Sequence, residues 1–152
     1  MNVVKIWNLV SKFPLGTTIF SKLVGLWIPY TGSIRACVLE LGPRRVRIQL
    51  KDRRRVRNHL RSIHAIALAN LGEYSTGLAL TAALTPGSRI IIKQLQIEYL
   101  KKARGTLVSQ VEINPQELPN SGESWVRAEI RDLANNIVCR TQALWKIDGE
   151  PA

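Results

Sequence analysis

Residues 58–84, NHLRSIHAIALANLGEYSTGLALTAAL, hold the feature that most limits what this chain can fold into. From Ser62 to Leu84 nearly every residue is small or apolar. A helix apolar on all sides is buried in its domain, so the remaining elements must wrap it. One carboxylate, Glu73, stands near its middle, and no Lys or Arg within the helix can pair with it. Burying an ionised carboxylate without a partner is costly, which makes Glu73 the first candidate for chemistry. Ser62 is the expected N-cap, and Thr85-Pro86-Gly87 the stop. Ala67, Leu71, Leu78 and Ala82 form one packing stripe; Asn70, Glu73, Thr76 and Gly77 form a second, small and polar. Gly72 and Gly77 weaken a helix relative to Ala, so a close approach by another backbone or a ligand is expected beside them.

The flanking segments supply what wraps the helix. Residues 2–13 carry Val3, Val4, Ile6, Trp7, Leu9, Val10 and Phe13, while Lys5, Asn8 and Lys12 fall at helical spacing on one face. Pro14 and Gly16 end this helix, and a second apolar helix is expected over 17–28, before Pro29. The pair is expected to pack across the rest of the domain or to cover an apolar pocket. After Gly32 the period changes to two. Residues 34–41 read as a strand, Gly42-Pro43 as a turn and 44–51 as the hairpin partner. In that partner Val46, Ile48 and Leu50 point one way and Arg45, Arg47, Gln49 and Lys51 the other. Beyond the central helix, strands are expected over 89–99, 105–113, 124–131 and 136–147, with residues 114–122 as the longest loop. Two strands, one apolar helix and four antiparallel strands give an α+β class. The expected organisation is one domain over 1–152, with a helical extension at 1–30 and a core at 31–148.

The net charge of +11 bears on partners and not on fold. Between Arg44 and Arg61 nine cations face one acid, Asp52. Such a run suits an anionic partner: nucleic acid, an acidic membrane surface or a phosphate-rich cofactor; it also fits a solvated basic face. Cys37 and Cys139 have no metal-ligand spacing and read as reduced and structural, which points to the cytoplasm. Lys5, Asn8 and Lys12 interrupt the first apolar run, so no signal peptide is expected. No apolar run reaches the roughly 20 residues of a membrane span.

Asn58, His64 and Glu73 stand six and nine residues apart, followed by Glu98-Tyr99-Leu100-Lys101-Lys102-Ala103-Arg104-Gly105. Over residues 32–147 this resembles the hotdog-fold acyl-CoA thioesterases of the phenylacetate-degradation branch, in a form with extra N-terminal helices. That family carries Asn, then His-Gly-Gly, then an acidic residue in the helix at those spacings. Here Ala65 and Ile66 stand for the two glycines, and Arg61 for a glycine between the Asn and the His. The helix acid is Glu where the branch more often has Asp, and Ile90-Ile91-Ile92 occupies the place of a polar strand residue.

The resemblance implies an antiparallel sheet wrapped round the central helix and hydrolysis of an acyl-CoA or acyl-carrier thioester. Coenzyme A would be part of the substrate, with no other cofactor and no metal. Glu73 would be general base or nucleophile, and the Ala65 N–H at the helix start the oxyanion donor. Asn58 would polarise the reacting groups, and His64 would orient the loop or bond the thioester oxygen. Arg53, Arg54, Arg55, Arg57, Lys101, Lys102 and Arg104 would meet the nucleotide phosphates, for which a guanidinium fork is well shaped. If both residues are helical, His64 and Glu73 lie about 13 Å apart along the axis and half a revolution round it. They are therefore expected to meet across a two-fold axis, in a homodimer or a dimer of dimers. Two alternatives stay open: a non-catalytic acyl-CoA or acyl-carrier binding protein, and a nucleic-acid-binding protein. Against the second, neither a helix-turn-helix nor an aromatic sheet motif is evident, so no nucleic acid is expected.

Overall fold

A computed structural model of the chain describes residues 3–149. Three helices come first: α1 (Val3–Val10), α2 (Gly16–Trp27) and the single turn α3 (Pro29–Gly32). The hairpin β1 (Cys37–Leu41) and β2 (Arg45–Leu50) leads through a 3-10 turn at Arg54–Val56 to the central helix α4 (Ala65–Ala83). Strands β3 (Arg89–Tyr99), β4 (Leu107–Glu112), β5 (Ser121–Asp132) and β6 (Ile137–Asp148) complete one antiparallel sheet in the order β1-β2-β4-β5-β6-β3. The expected start of the first helix at residue 2, and the expected domain ends at 1 and 150–152, lie outside the described residues.

The sheet curls round α4 because its strands alternate. Val46, Ile48 and Leu50 of β2, Leu107 and Val111 of β4, and Ile130 of β5 are fully buried, while Arg45 faces out. From α4, Leu71, Ala79 and Leu80 meet them with no exposure left. Each such Val, Leu or Ile side chain contributes about 1.5–3 kcal/mol relative to an exposed position. This is a hotdog fold, the helix held inside the curl of the sheet.

Two expectations need correction here. The neighbours that demand Gly72 and Gly77 are side chains of β6, not a backbone or a ligand. A Cβ on Gly72 would run into the Thr141 side chain, and one on Gly77 would lie 2.9 Å from Cη2 of Trp145. Trp145 also donates its indole N–H to Thr76 Oγ1 at 3.2 Å, so Thr76 belongs to the buried side of α4. Pro29 begins a helical turn instead of only ending the previous helix, since its fixed φ and missing N–H suit a first helical position.

The N-terminal helices are stitched to this body. Trp7 and Phe20 meet edge to face with centroids 5.0 Å apart, locking α1 on α2. Ser21 Oγ accepts from the Val38 N–H at 2.8 Å, tying α2 to β1. Asn70 Nδ2 donates to the Tyr30 carbonyl at 3.1 Å, tying α4 to α3. Among the described residues no helix is long and apolar enough to cross a membrane.

Candidate active site

The helix start is built by the loop that precedes it. Asn58 Oδ1 accepts from the N–H groups of Leu60 (2.9 Å) and Ser62 (3.1 Å), closing a tight turn. Arg61 sits in that turn with φ of 56°, left-handed backbone that glycine adopts without strain. A glycine would suit this position, and the turn is kept here with arginine. The Ile63 N–H then donates to the Ala103 carbonyl and the His64 N–H to the Val56 carbonyl, both at 2.7 Å. These bonds hold Ile63 and His64 extended, so the cap moves from the expected Ser62 to His64. His64 Nδ1 accepts from the Ile66 N–H at 3.1 Å, which puts the ring proton on Nε2 and leaves that N–H free to donate outward.

Ala65 is the first helical residue, and its N–H has no partner among the described residues. Such an N–H, at the positive end of a nineteen-residue helix, is a ready donor to developing negative charge. Tyr99, at the end of β3, donates its hydroxyl to the Ala65 carbonyl at 3.2 Å and so braces this turn. The sequence reading gave Tyr99 no role; its only signal was its place in the segment 98–105.

Glu73 lies about two and a half turns beyond His64. Most of α4 is buried, and apart from Ala65, Ala82 and Ala83 at its two ends the residues that are not fall on one stripe: Ile66, Ala69, Glu73, Gly77 and Thr81. Glu73 is at its centre, half-buried, with no hydrogen bond or ion pair to its carboxylate among the described residues. Burial pushes its carboxyl above the usual glutamate range. Asn70, the neighbour best placed by sequence to pair with it, is instead bonded to Tyr30, and Asn70 and Thr76 are buried off this stripe. Beside it, β3 is an edge strand of eleven residues whose outer side pairs with nothing described. Its inward side chains Ile90, Ile92, Leu95 and Ile97 are only half covered, and Ile91 is 60% exposed.

The basic segments come together at the helix start. Asp52 accepts from Arg57 Nε at 2.6 Å and from the Gly105 N–H at 2.9 Å, clamping the 52–57 loop to the 101–105 turn. The Arg57 bond holds the Asp52 carboxyl below its usual range, the Gly105 bond acting the same way against desolvation. Arg104 reaches towards the Leu60 carbonyl at 3.5 Å and Lys101 donates to Asn136 Oδ1 at 3.2 Å. Arg54, Arg55 and Lys102 are exposed. Arg53 points elsewhere, donating from Nη2 to the carbonyls of Ile34 and Arg35. The structure thus brings Asn58, His64, Ala65, Arg54, Arg55, Arg57, Lys102 and Arg104 to one end of α4, with Glu73 on its flank. Among the described residues no group of three or more His, Cys, Asp or Glu is placed to hold a metal ion.

Residues 16–147 match the family described as a domain of unknown function, DUF4442. The chain belongs to that family. No curated protein matches the sequence significantly. Among solved structures, a structural-genomics protein is 26% identical, with a TM-score of 0.84 over 97% of this chain and 99% of that one. A Pseudomonas aeruginosa protein of unknown function, described as a probable thioesterase, is 17% identical with a TM-score of 0.78, covering 90% of this chain and 96% of its own. A thioesterase from Haemophilus influenzae is 15% identical with a TM-score of 0.69, covering 79% and 82%. At such identities the last two establish a common fold and no more.

Proposed function

We propose that this chain is a thioester hydrolase acting on an acyl-CoA or acyl-carrier substrate as a homodimer, with Glu73 of one subunit facing the helix start of the other. The observation that carries the reading is the state of Glu73: unpartnered among the described residues, half-buried and central on the accessible stripe of a largely enclosed helix. The names of two similar folds point the same way.

Because α4 is continuous, His64 and Glu73 are held about 13 Å apart along its axis. A second copy resolves this. The open outer edge of β3 invites a second β3, and joining them would place the α4 stripes side by side. Each thioester carbonyl would then sit between Glu73 of one subunit and the Ala65 N–H of its partner.

The chemistry follows from these positions. Glu73, ionised, takes a proton from water as the water oxygen bonds to the thioester carbon. The carbonyl oxygen becomes an oxyanion held by the Ala65 N–H, with the helix dipole behind it. The C–S bond breaks, the thiolate leaves and takes up a proton, and the carboxylic acid departs. Direct attack by Glu73, giving an anhydride that water then opens, uses the same geometry. A carboxyl raised by burial is a stronger base than a solvated one, which suits the first route. His64 Nε2–H and the Asn58 amide would orient the substrate, and Arg54, Arg55, Arg57, Lys101, Lys102 and Arg104 would meet its phosphates.

The test is a panel of acyl-CoAs assayed for free thiol, with Glu73→Gln beside the wild type. Hydrolysis should collapse in the variant while acyl-CoA binding persists. Unaltered turnover by the variant, or no turnover of any thioester by the wild type, rejects the assignment; binding without turnover would leave the non-catalytic binding protein.

A further inference from the structure

A cleft of about 820 Å3 opens between α2, α3, the start of β1 and the end of β2. It is separate from the Glu73 stripe, none of whose five residues lines it. Its size is that of a small-molecule site. Its walls divide by chemistry. Val24, Ala36 and Tyr74 give it a buried apolar surface. Lys22, Arg35, Lys51 and Arg53 give it four cations, and among the described residues no Asp or Glu lines it.

Two of those cations are placed in a way the fold alone does not explain. Arg53 Nε is buried without a hydrogen-bond partner among the described residues, although Nη2 of the same guanidinium is bonded to backbone carbonyls. A buried donor left unpaired is costly, and an acceptor entering the cleft would satisfy it. Arg35 stands beside it with φ of 47°, a conformation unfavourable for a long side chain. Adjacent like charges repel, and burial and Arg35 together lower the Arg53 pKa. One anion between the two guanidiniums relieves both the repulsion and the unpaired donor.

We propose that this cleft binds a single-chain amphiphile with an anionic head, a fatty-acid carboxylate held by Arg35 and Arg53 with its tail along Val24, Ala36 and Tyr74. The inference stands on the cleft and does not need the hydrolase reading. If hydrolysis is also correct, the ligand is of the class that hydrolysis releases, bound away from where it forms.

Cys37 provides the measurement. It lines the cleft as a half-buried free thiol, whereas Cys139 is fully buried, so a maleimide reports on Cys37. Laurate should slow that labelling in the full chain and displace a fluorescent fatty acid. Dodecanol, which lacks the anion, and coenzyme A, which lacks the tail, should do neither. Arg35→Gly removes one guanidinium where glycine suits the backbone, so the fold should persist while laurate binds about tenfold weaker or worse. Dodecyl phosphate binding better than laurate would support the site and reassign the head group. Failure of both laurate and dodecyl phosphate to protect Cys37, equal protection by dodecanol or coenzyme A, or unchanged laurate affinity in Arg35→Gly would overturn the proposal.

Discussion

Asn70 donates from Nδ2 to the Tyr30 carbonyl at 3.1 Å, and its amide is thereby committed to the helical extension and not to Glu73, three residues along the same helix. The most economical structural role for Glu73, a carboxylate paired within its own helix, is therefore absent among the described residues. What remains is an acid that the fold makes harder to ionise and leaves open on one side.

That state has a consequence for stability. The carboxyl of Glu73 is raised in the folded chain, so the fold favours its neutral form; stability from this group is fully present at low pH and is lost as pH rises through the raised value. Glu73→Gln keeps the neutral state at every pH. The variant should melt above the wild type at pH 8, and the gap should close towards pH 4, near the ordinary glutamate value of about 4.3. Thermal denaturation at the two pH values measures it; a variant that melts lower at pH 8 would mean that the carboxylate has a stabilising partner.

Ala65→Pro isolates the oxyanion donor. Proline is well tolerated at a first helical position, and His64, with φ of −63° and ψ of 141°, already has the extended backbone that proline requires before it. The variant should keep its stability within about 1 kcal/mol. It loses the one N–H assigned to the oxyanion, and kcat should fall about 10²- to 10³-fold. Hydrolysis unchanged in a folded Ala65→Pro chain would remove that N–H from the mechanism.

Arg61→Gly tests the turn beneath the site. Arg61 holds φ of 56°, while the turn itself is closed by Asn58 Oδ1. Relief of the left-handed strain exceeds the extra freedom of glycine in the unfolded chain, so urea denaturation should show a gain of up to about 1 kcal/mol. A loss would show that the arginine side chain contributes contacts that outweigh its backbone strain.

Much of this architecture was legible because its signals were local. The alternation of Val46, Ile48 and Leu50 marked β2 and its inner face; Thr85-Pro86-Gly87 marked the end of α4; and β3 spans the expected 89–99. What was not legible depended on distant partners. Ser62 looked like the cap until bonds from Ile63 to Ala103 and from His64 to Val56 held the chain extended for two more residues. Asn70 and Thr76 shared helical spacing with Glu73, but Tyr30 and Trp145, remote in sequence, drew them to the buried side. Arg53 was one of a run of similar arginines, and only the link between α3 and β1, remote in sequence, drew it to the carbonyls of Ile34 and Arg35. Asp52, the lone acid in that run, proved to be the clamp between the two basic segments.

A site assembled from two subunits is the claim on which the mechanism rests, and mixing two inactive variants tests it most directly. Glu73→Gln and Ala65→Pro chains, unfolded together and refolded at equal concentrations, form mixed pairs in which one site holds both defects and the other holds none. Activity should return to roughly one quarter of the wild-type rate, since about half the pairs are mixed and one of the two sites in each is intact. A mixture no more active than the two parents alone, with mixed pairs demonstrated, would place Glu73 and the Ala65 N–H in the same subunit's site and contradict the account.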